Sequence, residues 1–423
     1  MIKELRGFEI LDSRGRPTVM TKCVLSDGTI GSASVPSGAS TGKAEALELR
    51  DGDASRYRGL GCLKAVANIN NAIHSALIGK EFDNQEAFDN ALIALDGTSD
   101  KHRLGANAIL ACSLAYARAK AKQEGVVLYK YFGRMTGNDD FQLPRPTINL
   151  FSGGKHAGGQ IPVQDLLLVP VAAKTMDEAL EQVHSVYLSA SELIHEKYGM
   201  RALKADEGGL APSFRNIDEM FEDAMKAIER AGLQPGKQMA MALDVASSHF
   251  YKEGKYDLGT EIRDSLGMIE LIRSWVDAYP ILSVEDGLAE NDWEFWPHLK
   301  HTLQDKCLVL GDDLLCTQVA RINRAVEEDA ANALLLKVNQ CGSLAEAAAA
   351  LRAARNAGWQ VTVSARSGET EDNWLADLAT GWDGNQIKIG SIAQSDRLAK
   401  YNRMLELEQG DKLKIRDWIY PGN

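Results

Sequence analysis

The sequence predicts an α/β protein in two parts: an α+β domain over residues 1–138 and a β/α barrel over residues 139–423. Three observations carry this. Strand-like segments come first and helical ones follow across roughly the first 125 residues, the order of an α+β domain. The polar, Gly- and Pro-containing passage GRMTGNDDFQLPRP then breaks the pattern at 133–146. Beyond it, six short apolar runs recur at intervals of 41, 27, 25, 28 and 23 residues. Each interval holds one strand, one helix and two short loops, the size of a βα unit.

In the first part, residues 8–10 open a strand and SRGRP reads as a turn. Val19, Thr21, Cys23 and Leu25 then alternate, and Asp27-Gly28 is a hairpin signal before IGSASV. Helices are expected over about 57–79, 84–95 and 104–124, the last rich in strong helix formers. In the second part, MAMALD ends at Asp244, ILSVE at Glu285, CLVLGD at Asp312, LLLK at Lys337, VTVSA at Ala365 and QIK at Lys388. Between two of these runs, Ser343 and Glu346 stand in capping-box spacing and Gly358 closes the helix. Repeated βα units over some 280 residues suggest a parallel barrel, whose active site lies at the C-terminal strand ends. The residues closing the runs are therefore the candidates.

Composition excludes several classes. With 45% apolar and 25% charged residues, the chain is that of an ordinary globular protein. Its formal charge of −12 lacks the basic footprint that nucleic acid or an anionic membrane demands, so neither is expected as a partner. Six scattered cysteines without a CxxC pair read as reduced thiols, and MIKELRGFEI carries no signal-peptide core. LLLVPVAA at 166–173 is among the longest apolar stretches, too short to span a bilayer. A cytoplasmic protein is the expectation. GLGCLK at 59–64 lacks the third glycine of a dinucleotide fingerprint, and there is no P-loop.

Asp244, Glu285 and Asp312 end successive runs, so a barrel converges them. A strand-end acid is often just a helix cap, but three in phase would repel unless a divalent cation neutralised them. All-oxygen ligation favours Mg²⁺ or Mn²⁺. Lys337 ends an apolar strand; near such a cation and Lys388, its neutral form is expected to be favoured, which suits a general base. Two glycine-bearing loops, VPSGASTG at 35–42 and FSGGKHAGGQ at 151–160, can approach a ligand closely. Glu207 precedes a Gly-Gly turn, and Arg366 and Ser367 lie just past a strand end, where they can bind phosphate.

DSRGRPTV, PSGASTG, EALELRDGD, GANAILA, DEGGLAP, SVEDGL, GDDL, LLLKVNQCGSL, RSGETED and SDRLAKYN occur in this order from about residue 3 to about 404. Together they resemble the enolase (phosphopyruvate hydratase) family. The resemblance implies an N-terminal α+β capping domain, an enolase-type barrel, a homodimer or dimer-based assembly, and dehydration of 2-phosphoglycerate to phosphoenolpyruvate. It implies Mg²⁺ on Asp244, Glu285 and Asp312, and a second Mg²⁺, arriving with substrate, at Ser40. Lys337 matches the base, Glu207 the acid that helps expel hydroxide, and Lys388 the cation beside the substrate carboxylate. Arg366 and Ser367 match the phosphate clamp; His156 and Gln164 match residues that close over substrate. Two positions depart from the pattern: Ala365 stands where the motif has histidine, and Asp165 where it has glutamate on the acid side of the site. Lys155, Gly158-Gly159, Cys341 and Gln394 are smaller departures. Two alternatives stay open. One is a paralogue acting on another phospho- or phosphono-carboxylate, such as a carboxyphosphonoenolpyruvate synthase; the other is a non-catalytic binding protein with the same fold.

Overall fold

Period-two alternation builds the first sheet. Strands β1 (Ile2–Leu11), β2 (Pro17–Leu25) and β3 (Ile30–Ser34) pair as an antiparallel meander. The computed structural model describes residues 1–39, 42–199, 201 and 203–420. Three helical segments, Leu63–Asn68, Ile69–Ile73 and His74–Leu77, run on as one helix with a π turn in its middle. Helices Gln85–Asp96 and Ala106–Gln123 follow. The second is apolar or small on nearly every face and is buried almost throughout, as a helix covered on all sides must be. It lies so close to β3 that a Cβ on Gly31 would sit 2.3 Å from Ala115 O and Ala119 N. A further helix, Leu128–Thr136, enters the passage expected to be irregular; Gly137, at φ +73°, ends it.

Eight strands form the barrel: β4 (Arg145–Ser152), β5 (Asp165–Val169), β6 (Ala240–Asp244), β7 (Ile281–Glu285), β8 (Leu308–Gly311), β9 (Ala333–Leu336), β10 (Gln360–Ser364) and β11 (Gln386–Gly390). Each pairs with the next, and β11 pairs with β4 to close the ring. The expectation of an all-parallel barrel needs one correction: β5 runs antiparallel to both β4 and β6. Residues 153–164, which join β4 to β5, contain only a single 3₁₀ turn. Without a crossover helix the chain can only double back.

Inside the barrel, Leu167, Val169, Ala242, Leu282, Leu310 and Leu335 meet as one buried cluster, with Trp418 beside them. This is a packed interior rather than a pore, as the fold requires. The outward faces of the strands join the helices in the larger core. Among the described residues, no helix is long and apolar enough to cross a membrane.

Candidate active site

The C-terminal rim of the barrel is charged. Asp165 of β5 pairs in register with Asp244 of β6, and Asp244 with Glu285 of β7. Asp312 directly follows β8, Lys337 follows β9, and Lys388 lies in β11 opposite Ser364 and Thr147. These acids and Lys388 are buried. The Lys388 ammonium bridges two staves, donating to Asp244 Oδ2 and Glu285 Oε2 at 2.7 Å each. Lys337 donates to Asp312 Oδ2, while Gln340 Nε2 reaches the other oxygen of Asp312 at 2.8 Å. Just past two of the strand ends, Ala246 and Asp286 hold left-handed backbone at φ +49° and +43°. Such strained non-glycine turns gather at functional sites.

Charge balance explains these pairings. Burial opposes ionisation of Asp244, but the Lys388 ammonium outweighs it and brings the carboxyl down to about 2. Glu285 is pushed well above the ordinary range by burial and then by Asp244. The neutral amine expected of Lys337 belongs to a site that holds a divalent cation; with Asp312 as its counter-ion the shift runs the other way. Burial is the largest influence and lowers it, but the Asp312 and Glu285 carboxylates together outweigh burial, and the net shift is upward.

Carboxylate oxygens are the donors a hard cation prefers. Glu285 Oε1 is buried without a hydrogen-bond partner, and an ammonium already stands between Asp244 and Glu285. Among the described residues, the groups with ligand atoms within 4.8 Å of one another are Asp286–Asp312–Asp313 and His156–Asp165–Glu207; the expected trio Asp244, Glu285 and Asp312 does not form one, as Lys388 stands between the first two. Asp286 Oδ1 and Oδ2 accept the amides of Asp312 and Asp313, so it shapes the turn after β8.

The opposing group sits on β4, β5 and their connection. His156 Nδ1 lies 2.6 Å from Asp165 Oδ2, and Ser152 Oγ donates to Asp165 Oδ1 at 2.5 Å. Both Asp165 oxygens are thus committed behind the histidine. His156 Nε2 is 3.8 Å from Glu207 Oε1, and Asn149 Nδ2 donates to Glu207 Oε2 at 3.1 Å. Burial alone would lower the imidazole. The Asp165 and Glu207 charges and the Asp165 hydrogen bond outweigh it, raising His156 to about 9. Glu207 moves the other way: burial raises it, but His156, Arg397 and the two lysines hold it below the usual range. Burial raises Asp165 as well, so on this side the His156–Asp165 pair holds a proton beside an ionised Glu207.

Gln164 Nε2 donates to Asp244 Oδ2 at 3.1 Å and leaves its own buried oxygen unpartnered. Arg366 extends from the turn after β10, and Ser367 Oγ accepts from Arg14 Nη1 at 3.1 Å. A small cleft brings His156, Gln164, Glu207, Asp244, Lys337, Arg366, Ser367 and Lys388 together, with Ala365 on its wall. Glu285 and Asp312 join it through the lysines, and Asp165 stands behind His156. Ser40 lies outside the described residues. Asn149 and Ser152, which flank Leu150 and Phe151 on β4, went unnoticed in the sequence. Asp286 and Asp313 were likewise overlooked, each directly following a candidate acid.

A closed eight-stave barrel with acids and lysines ringed at one mouth, joined to an α+β domain, is the architecture of a barrel enzyme. Residues 2–132 match the family model described as enolase, N-terminal domain, and residues 140–416 match enolase, C-terminal TIM barrel domain. The chain belongs to the enolase family.

Proposed function

We propose that the protein dehydrates 2-phosphoglycerate to phosphoenolpyruvate in a Mg²⁺-dependent reaction. The observation that carries this is the single cleft shared by Lys337, Glu207, Lys388, Asp244 and Arg366. Asp244, Glu285 and Asp312 would hold the metal, and Ser40 a second ion arriving with substrate. When bound, Mg²⁺ supplies positive charge against the second negative charge that proton loss builds on the substrate carboxylate. Lys388 adds its ammonium to the same end. Lys337, once Asp312 no longer serves as its counter-ion, releases its own proton to solvent, and the neutral amine takes the proton next to that carboxylate. Arg366 and Ser367 hold the phosphate, and Gln164 packs over the substrate beside Asp244. The departing hydroxide needs a proton. His156 carries one at neutral pH beside Glu207, so this pair delivers it, with Asp165 holding the imidazole in place. A homodimer or dimer-based assembly belongs to the same proposal, and sedimentation velocity tests it.

Turnover of 2-phosphoglycerate with Mg²⁺, followed by phosphoenolpyruvate absorbance, tests the reading. The expected rate is within ~1–1,000 s⁻¹, the span typical of enzymes. Chelation and Lys337→Met should each abolish it. A second reading is favoured by Ala365, whose methyl lines the cleft where the family motif has an imidazole. It is a related reaction on a larger phospho- or phosphono-carboxylate. Absent turnover of 2-phosphoglycerate, together with tight Mg²⁺-dependent binding of such a compound, selects it.

A further inference from the structure

Arg366 already grips an anion. Glu45, on the capping-domain segment after Gly42, accepts from both arms of the guanidinium: Nη1 to Oε2 at 3.0 Å and Nη2 to Oε1 at 3.2 Å. Both side chains are withdrawn from solvent, 3% and 7% exposed. Glu45 Oε1 also accepts Gly42 N at 3.0 Å and Gln340 Nε2 at 3.5 Å. That same Gln340 nitrogen donates to Asp312 at 2.8 Å. One carboxylate therefore touches the guanidinium, the backbone of the capping segment and the amide that steadies a candidate metal ligand.

A guanidinium fork fits a carboxylate and a phosphate with the same two parallel hydrogen bonds. We propose that Glu45 is a positioning residue that stands in for the substrate oxyanion at Arg366 and yields the fork when that oxyanion arrives. The proposal rests on the reading of Arg366 as an oxyanion ligand. Its consequence is a competition built into the fold. The affinity of Arg366 for a bare oxyanion is set against a tethered carboxylate, and the exchange frees the Gly42 amide and Gln340. Oxyanion binding and the capping segment are thereby coupled through one side chain. Asn339 Oδ1, which accepts from Nη1 at 3.0 Å, keeps Arg366 oriented during the exchange.

The test is calorimetric titration of the full chain with inorganic phosphate, comparing the unaltered protein with Glu45→Gln, Glu45→Asp and Arg366→Met. Removing a buried competing charge should tighten phosphate binding in Glu45→Gln by roughly tenfold. Glu45→Asp, still charged, should give back most of that gain, and Arg366→Met should lose binding. Unchanged or weaker binding in Glu45→Gln, with binding still lost in Arg366→Met, overturns the competition alone. Binding that survives in Arg366→Met overturns the reading of Arg366 itself. Hydrogen exchange on the unaltered protein gives a measurement independent of any variant. Saturating phosphate should speed exchange in the peptide covering residues 42–48, and no change or slower exchange there contradicts the proposal.

Discussion

Replacing Asp165 with Asn leaves His156 its shape of partner and removes the charge. In the structure the imidazole rises from 6.5 to about 9, against the pull of burial, because Asp165 lies 2.6 Å away and Glu207 3.8 Å away. A rise of that size corresponds to roughly 3 kcal/mol of stability by linkage. The sign is fixed by the direction: a raised histidine stabilises fully below its unfolded value, and that contribution is lost as pH climbs through about 9. Urea unfolding from pH 6 to pH 10 should therefore show the unaltered protein losing stability across the window 6.5 to 9. Asp165→Asn should flatten most of that fall, leaving the smaller share owed to Glu207. Proton NMR of the imidazole, assigned by its disappearance in His156→Asn, reads the same quantity directly. If His156 titrates near 6.5 in the unaltered protein, or if Asp165→Asn leaves it near 9, the account of this side of the site is wrong.

Three further outcomes are expected. Lys388→Met strips the ammonium from two buried carboxylates, and breaking a buried pair of this kind costs about 3–5 kcal/mol; denaturation with and without Mg²⁺ should show the loss and its partial recovery by the cation. Asp89 is wholly buried, and burial pushes its carboxyl up to about 7. It therefore keeps its proton in the fold where the unfolded chain has lost it, and stability falls as pH rises from about 4 to about 7. Asp89→Asn should abolish that slope and be the more stable protein at pH 8, read by thermal unfolding at both ends of the range. Ala365→His combined with Asp165→Glu restores the family pattern, and if hydratase chemistry is native here, kcat/KM for 2-phosphoglycerate should rise; a fall points to the larger substrate.

The sequence exposes the barrel staves that end in chemistry better than those that do not. Asp244, Glu285, Lys337 and Lys388 each interrupt or close an apolar run, so hydrophobic patterning and the candidate residues come from the same signal. β4 is buried along its whole length and reads as no alternating strand, and β5 beyond Asp165 hides within the apolar stretch 166–173. The antiparallel turn between them was illegible for that reason. Protonation was harder still to read. Lys337 and Glu207 have the right side chains for base and acid, but ionisation depends on neighbours far away in sequence. Asp312 sits 25 residues from Lys337, and His156 approaches Glu207 only because the 153–164 connection folds back over the rim.

That distinction bears on how the site divides its labour. Every cation at the rim has a carboxylate partner: Lys388 with Asp244 and Glu285, Lys337 with Asp312, Arg366 with Glu45, His156 with Asp165. The pairs neutralise a buried ring of charge that would otherwise be costly to assemble. They also hold each reactive group in its resting ionisation, with Lys337 protonated and Glu207 ionised, the reverse of what a base and an acid require. Under the proposed function, chemistry would depend on exchanging partners, with Asp312 given up by Lys337 to a metal and Glu45 given up by Arg366 to an oxyanion. On that proposal its own side chains hold the ligands' places until the ligands bind.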